Sequence, residues 1–308
     1  MRQSLEKTLR KLPAVFSELT VEGLNVVMQA GILCLKTGGT NLDLTSAYEN
    51  GAFIPGSETF AQDLELAAAE WRQVEAAVGR ARLNLPYGAG ARQAMDIFYP
   101  SGKPEGVVFF IHGGYWRQFD RKAWSHLAAG ATARGWAVAM PSYTLTPEVT
   151  IPDITREMVA ALGVAAGIVA GPVAVTGHSA GGHLAARLIC SGVGVPDGVA
   201  ERIVSCVPIS GLFDLRPLIQ TEMNTDLRLD MADAKAESPI FHTPLAAPRI
   251  TVWVGAEERP VFLDQSRWLT TAWPDAVLRM APGRHHFDVI DALRAPDSPL
   301  IADILGGA

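Results

Sequence analysis

From residue 107 onward the hydrophobic pattern is a series of short, almost continuously apolar runs, at 107–111, 137–140, 173–176, 203–209, 250–254 and 277–280. Runs without alternation predict strands covered on both faces, and the helical patches between most of them predict a mostly parallel sheet in an α/β domain. Ahead of these, residues 82–87 and 94–99 alternate around Gly88-Ala89-Gly90, which predicts a β-hairpin. Residues 41–79 are rich in Glu, Asp and Ala, with apolar positions at helical spacing around 60–78, and predict a helical lead-in lying across the top of the domain. The apolar stretch 24–35 is too short to span a bilayer, follows Glu18 and Glu22, and precedes no A-x-A-like cleavage site. The expected organisation is therefore a helical N-terminal extension over 1–40 and one domain over 41–308. Between Ser210 and Pro248 the strand rhythm gives way to short helical patches and turns, which predicts a lid-like insertion over about 211–247.

Two of the predicted strands end in unusual chemistry. The run 173–176 continues as Gly177-His178-Ser179-Ala180-Gly181 and then a helical segment, a G-x-S-x-G spacing in which the turn leaves no room for side chains two positions either side of the serine. Such a turn lifts the Ser179 hydroxyl above the sheet and leaves the first amides of the helix, beginning with Ala180, free to stabilise an anion. The run 107–111 leads directly into His112-Gly113-Gly114-Tyr115-Trp116. Paired glycines there let the backbone approach a reacting carbonyl, so the amides of Gly114 and Tyr115 are the expected second half of an oxyanion hole. His112 is read as a residue that hydrogen-bonds this loop.

Composition narrows the partners. The chain has 308 residues, 48% of them hydrophobic and 19% charged, with a formal net charge of −6 and no Lys/Arg run. This argues against a nucleic-acid surface and for a small-molecule partner, with no stable membrane association expected and a homo-oligomer left open. The three cysteines, Cys34, Cys190 and Cys206, form no C-x-x-C pair and predict reduced thiols in a cytoplasmic protein. No H-E-x-x-H or comparable spacing calls for a metal, and no cofactor is expected.

A nucleophilic serine needs a base, and the base an orienting acid, following the serine in the order acid then histidine. Of His183, His242, His285 and His286, the pair in GRHHFDVI follows the last apolar run, and His286 is preferred to its neighbour. For the acid, Glu258 just past the run 250–254 leads Glu257 and Asp214, with Asp264 a further candidate.

Together HGGYW at 112–116, the GHSAGGHL elbow, GLFDLRPLIQTEMN at 211–224, SPI at 238–240, FLDQS at 262–266 and HFDVI at 286–290 resemble the kynurenine formamidases (arylformamidases) of the α/β-hydrolase fold. The resemblance runs from about residue 41 to the C-terminus, and YTLTP at 143–147 also resembles the wider hormone-sensitive-lipase-like esterases. It implies a Ser-acid-His triad of Ser179, Glu258 and His286, with Glu where the family pattern has Asp, no cofactor, and hydrolysis of N-formylkynurenine to kynurenine and formate. For a formamide the acyl side must be small, so Tyr115, Trp116 and the insertion around Phe213 and Met223 are expected to hold the aryl amine. Two other functions fit the same signals: a broad short-acyl carboxylesterase, and a hydrolase-fold binding protein without chemistry.

Overall fold

The computed structural model describes residues 24–29, 32–37 and 43–306, and separates the chain into two compact units, Met1–Asp43 and Leu44–Ala308. In the first unit β1 (Leu24–Gln29) pairs antiparallel with β2 (Ile32–Thr37), Leu24 opposite Thr37. This corrects the helix expected there. A lone helix of about 12 residues is marginal, whereas two six-residue arms satisfy each other's amides. The remainder of the expected extension, residues 1–23, lies outside the described residues.

The second unit is built on eight strands: β3 (Ala81–Pro86), β4 (Ala94–Phe98), β5 (Val107–Ile111), β6 (Ala137–Pro141), β7 (Val173–His178), β8 (Ile203–Ile209), β9 (Arg249–Gly255) and β10 (Val277–Ala281). Their order is β10-β9-β8-β7-β5-β6-β4-β3, with β3 and β4 joined antiparallel as the expected hairpin, β4 antiparallel to β6, and every other neighbouring pair parallel. The continuous apolar runs are explained by two cores. Along β5, Val107, Phe109 and Ile111 point into one core, while Val108 and Phe110 point into the other. The Ile151–Ile168 helix covers the first face with Ile151, Ile154, Met158, Ala161, Leu162 and Ala165, a stripe at 3.6-residue spacing. Its start is fixed by a capping box between Thr150 and Asp153.

The register of β5 against β7 places Ile111 beside Gly177. The loop after β5 and the turn after β7 therefore leave the sheet side by side at its carboxyl edge, where ligands bind in such folds. The lead-in forms the helices Leu44–Tyr48 and Ser57–Ala77, and the insertion forms short helical turns at Arg216–Gln220, Asn224–Leu227, Met231–Ala236 and Pro239–Phe241. Among the described residues, no helix is long and apolar enough to cross a membrane.

Candidate active site

Ser179 sits between β7 and the Ala180–Leu188 helix with φ 56° and ψ −117°, a strained conformation for a residue with a Cβ. The geometry explains both flanking glycines. A Cβ on Gly177 would meet the Gly181 carbonyl oxygen at 2.3 Å, and one on Gly181 would meet the Ile111 oxygen at 2.0 Å. The Ser179 amide donates to the Ile209 carbonyl at 2.9 Å, which pins the turn to β8. Across from it Gly114, Tyr115 and Trp116 follow one another at φ 111°, 52° and 58°. Gly113, which the motif reading passed over, is pressed closest to the serine: a Cβ there would stand 3.2 Å from that of Ser179 and 2.9 Å from the His178 oxygen. The amides of Gly113, Gly114, Tyr115 and Ala180 donate no hydrogen bond among the described residues. His112 holds this loop, its Nδ1 2.7 Å from the Gly113 carbonyl and its ring stacked on Tyr143, and burial pushes its pKa down to about 4.

His286 Nδ1 lies 2.7 Å from Glu258 Oε2, both side chains being buried. The other Glu258 oxygen accepts from the Ser210 hydroxyl and from the Gly255 amide at 2.8 Å, so the carboxylate is held on both sides. Phe262 packs against the His286 ring at 4.4 Å between centroids. The remaining candidates are engaged elsewhere. Glu257 is exposed, Asp214 pairs with Arg216 at 2.6 Å, and Asp264 pairs with Arg267 at 3.0 Å. His285 faces Asp288, while His183 and His242 bond to the carbonyls of Glu237 and Ala236.

His178, the variable position of the elbow motif, has a role that the motif did not signal. Its Nε2 lies 2.8 Å from the carbonyl oxygen of His286. A carbonyl can only accept, so Nε2 carries a proton. Burial and then the nearby His286 drive its pKa well below 6.5, against the opposing effect of the bond to the His286 carbonyl, and keep the ring neutral. The elbow is thereby tied directly to the loop that carries His286.

Ser179, His178, His286, Gly114 and Tyr115 line one cavity of about 720 Å³, within the range of small-molecule sites. Its rim comes from the lead-in (Thr45, Glu49, Gly51, Ser57, Phe60) and from the insertion (Glu222, Met223, Thr225). Of the residues expected to hold the aryl amine, Met223 lines this cavity, but Trp116 and Phe213 do not. Both are fully buried in the core. The left-handed backbone at Trp116 turns its indole inward onto His183, and Phe213 fills the space beside Gly211 while its amide is bonded to Gln265. Phe119, Trp124 and the stacked pair Phe60 and Phe287 supply the aromatic wall instead.

A family model described as the alpha/beta hydrolase family matches residues 108–307. The chain belongs to that family. Within this α/β hydrolase, sequence similarity extends to the kynurenine formamidase of Danio rerio, 28% identical over 226 residues that span 68% of this chain and 76% of the relative. The kynurenine formamidase of Salmo salar is 29% identical over 227 residues with the same coverage. The crystal structure of a candidate thioesterase from a Silicibacter species is 47% identical with a TM-score of 0.83, covering 86% of this chain and all of that one. Esterase LipW of Mycobacterium marinum, 20% identical with a TM-score of 0.62 over 84% of this chain and 94% of its own, shares the fold. The chain is thus an α/β hydrolase with sequence similarity to kynurenine formamidases.

Proposed function

We propose that this hydrolase removes the formyl group from an aryl formamide, N-formylkynurenine, through an acyl-enzyme on Ser179. The observation that carries the reading is the buried bond between His286 and Glu258, opening onto the same cavity as the strained serine. With its Nδ1–H donated to the Glu258 carboxylate as a hydrogen bond, neutral His286 keeps Nε2 as the acceptor for the Ser179 proton. Ser179 Oγ attacks the formyl carbon while His286 takes that proton. Glu258 stabilises the resulting imidazolium, and the unengaged amides of Gly113, Gly114, Tyr115 and Ala180 receive the oxyanion. His286 then protonates the departing aniline nitrogen, and water repeats the cycle to release formate and free serine.

A thioester substrate is the second reading, favoured by the 47% identical Silicibacter structure and its thioesterase description. The rim opposes a polyphosphate carrier, because Glu49 and Glu222 both line the cavity and would face its phosphates.

The deciding measurement is kcat/KM for N-formyl-L-kynurenine against p-nitrophenyl acetate and acetyl-coenzyme A, with Ser179→Ala as control. Fast deformylation that drops about a millionfold in kcat without the serine supports the reading. Turnover of the activated ester or the thioester alone would overturn it and leave an esterase or thioesterase.

A further inference from the structure

The cavity rim carries charges that the deformylation chemistry does not use. Arg117 lines it, and the Arg117 amide donates to the Gly114 carbonyl at 3.0 Å. That bond closes a tight turn whose ends lie within about 7 Å of each other, so the guanidinium is rooted one short step from the oxyanion loop. The turn is anchored by the buried Trp116 and by Tyr115, whose hydroxyl donates to the Tyr48 carbonyl and accepts from Asn50. Arg117 Nη1 spends one bond on Asp226 at 2.8 Å, while its Nε is buried with no partner among the described residues. A guanidinium has five N–H donors in a planar fork, so one carboxylate contact leaves capacity for a second.

Facing the same cavity are the carboxylates of Glu49 and Glu222, which have no hydrogen-bond or ionic partner among the described residues. The Glu222 amide donates to Thr45 Oγ1 at 3.0 Å, which joins the insertion to the lead-in and brings the two acids to one rim. A ligand bearing only negative charge would meet two unscreened glutamates, and one bearing only positive charge would leave Arg117 half satisfied. A headgroup with both charges satisfies all three.

We propose that Arg117, Glu49 and Glu222 form a subsite for the α-amino acid headgroup of the leaving amine, Arg117 taking its carboxylate and the glutamates its ammonium. The inference rests on the formamidase reading and specifies how that site would recognise its substrate. Ser179 and the oxyanion loop hold the small neutral acyl end, and the zwitterionic end reaches the rim.

Three substrates test it: N-formyl-L-kynurenine, N-formylkynuramine, which lacks the carboxylate, and 2-formamidoacetophenone, which lacks the whole headgroup. Arg117→Met should lower the ratio of kcat/KM for the first over the second by about tenfold to a hundredfold, the range of hydrogen bonds to charged groups. Arg117→Lys should keep part of it. Glu49→Gln combined with Glu222→Gln should lower the ratio of the second over the third. General damage to the protein would depress all three substrates together and leave the ratios fixed. A wild-type enzyme that hydrolyses all three alike, or variants that leave both ratios unmoved, would overturn the subsite while sparing the formamidase reading. If none of the three is hydrolysed while p-nitrophenyl acetate is, the formamidase reading itself falls and the subsite with it.

Discussion

At the floor of the cavity, Ser179 is held by backbone: by glycines whose added Cβ would strike main-chain oxygen at 2.0 and 2.3 Å, and by an amide bond to β8. At the rim, Glu49, Glu222 and Met223 are held by short helices of the lead-in and the insertion, and both glutamates are exposed. The floor is fixed by the meeting of three strands, β5, β7 and β8, and tolerates little change. The rim is a set of side chains on turns, and the exposed glutamates can change without disturbing the sheet, whereas Met223 also packs into the core. Reaction type belongs to the first region and substrate choice to the second.

Variants can break or sharpen this contrast. Glu258→Gln preserves the shape of the buried carboxylate and removes its charge, and should reduce kcat about ten-thousandfold with the fold intact. Comparable activity in burst and steady-state assays of this variant would remove Glu258 from the mechanism. Gly113→Ala places a methyl against the His178 oxygen at 2.9 Å and should displace the loop. A loss of about 100- to 1000-fold in kcat, the value of one oxyanion donor, is expected with little change in KM; a pure KM effect would assign the loop to binding.

A third prediction concerns acid. His112, His178 and His183 are buried and neutral, with folded pKa values pushed down by burial, to about 4 for His112 and His183. The unfolded chain takes up these protons near pH 6.5 and the folded chain does not, so the stability they contribute is full above pH 6.5 and is lost as the pH falls toward 4. Unfolding free energies from urea titrations at pH 7.5 to 4.5 should fall, by on the order of 1 kcal/mol per pH unit for each such group. A flat profile would show that these rings titrate in the folded protein as they do in the unfolded chain. The smallest effect is expected at the rim, where Met223→Ala should change kcat/KM within about tenfold and reorder substrates of different leaving-group size. A loss like that of Gly113→Ala would mean that the rim also shapes the reacting centre.

The same contrast accounts for what the sequence made legible. Strand runs, the elbow and the order of acid and histidine are local or nearly local patterns, and the register of β5 on β7 brings the first two together without further information. Gly113 could have been found from its place in the Gly-Gly pair, since the close approach belongs to whichever glycine faces the serine. The pocket wall was harder. Trp116 stands next to the oxyanion loop in sequence, yet its side-chain direction depends on φ 58°, a backbone sign that residue type does not reveal. Phe213 lies at the start of the insertion, but the glycine space at Gly211 and the bond from its amide to Gln265 settle it in the core. The β1–β2 hairpin was missed because a short apolar stretch lacks the length to distinguish strand from helix.

The bond from His178 to the His286 carbonyl spans 108 residues of sequence. During synthesis the elbow leaves the ribosome well before the histidine loop does. At about 5–20 residues per second, the elbow waits on the order of 5–20 s for the loop that carries His286. A nascent chain therefore cannot close this contact until residue 286 has left the ribosome.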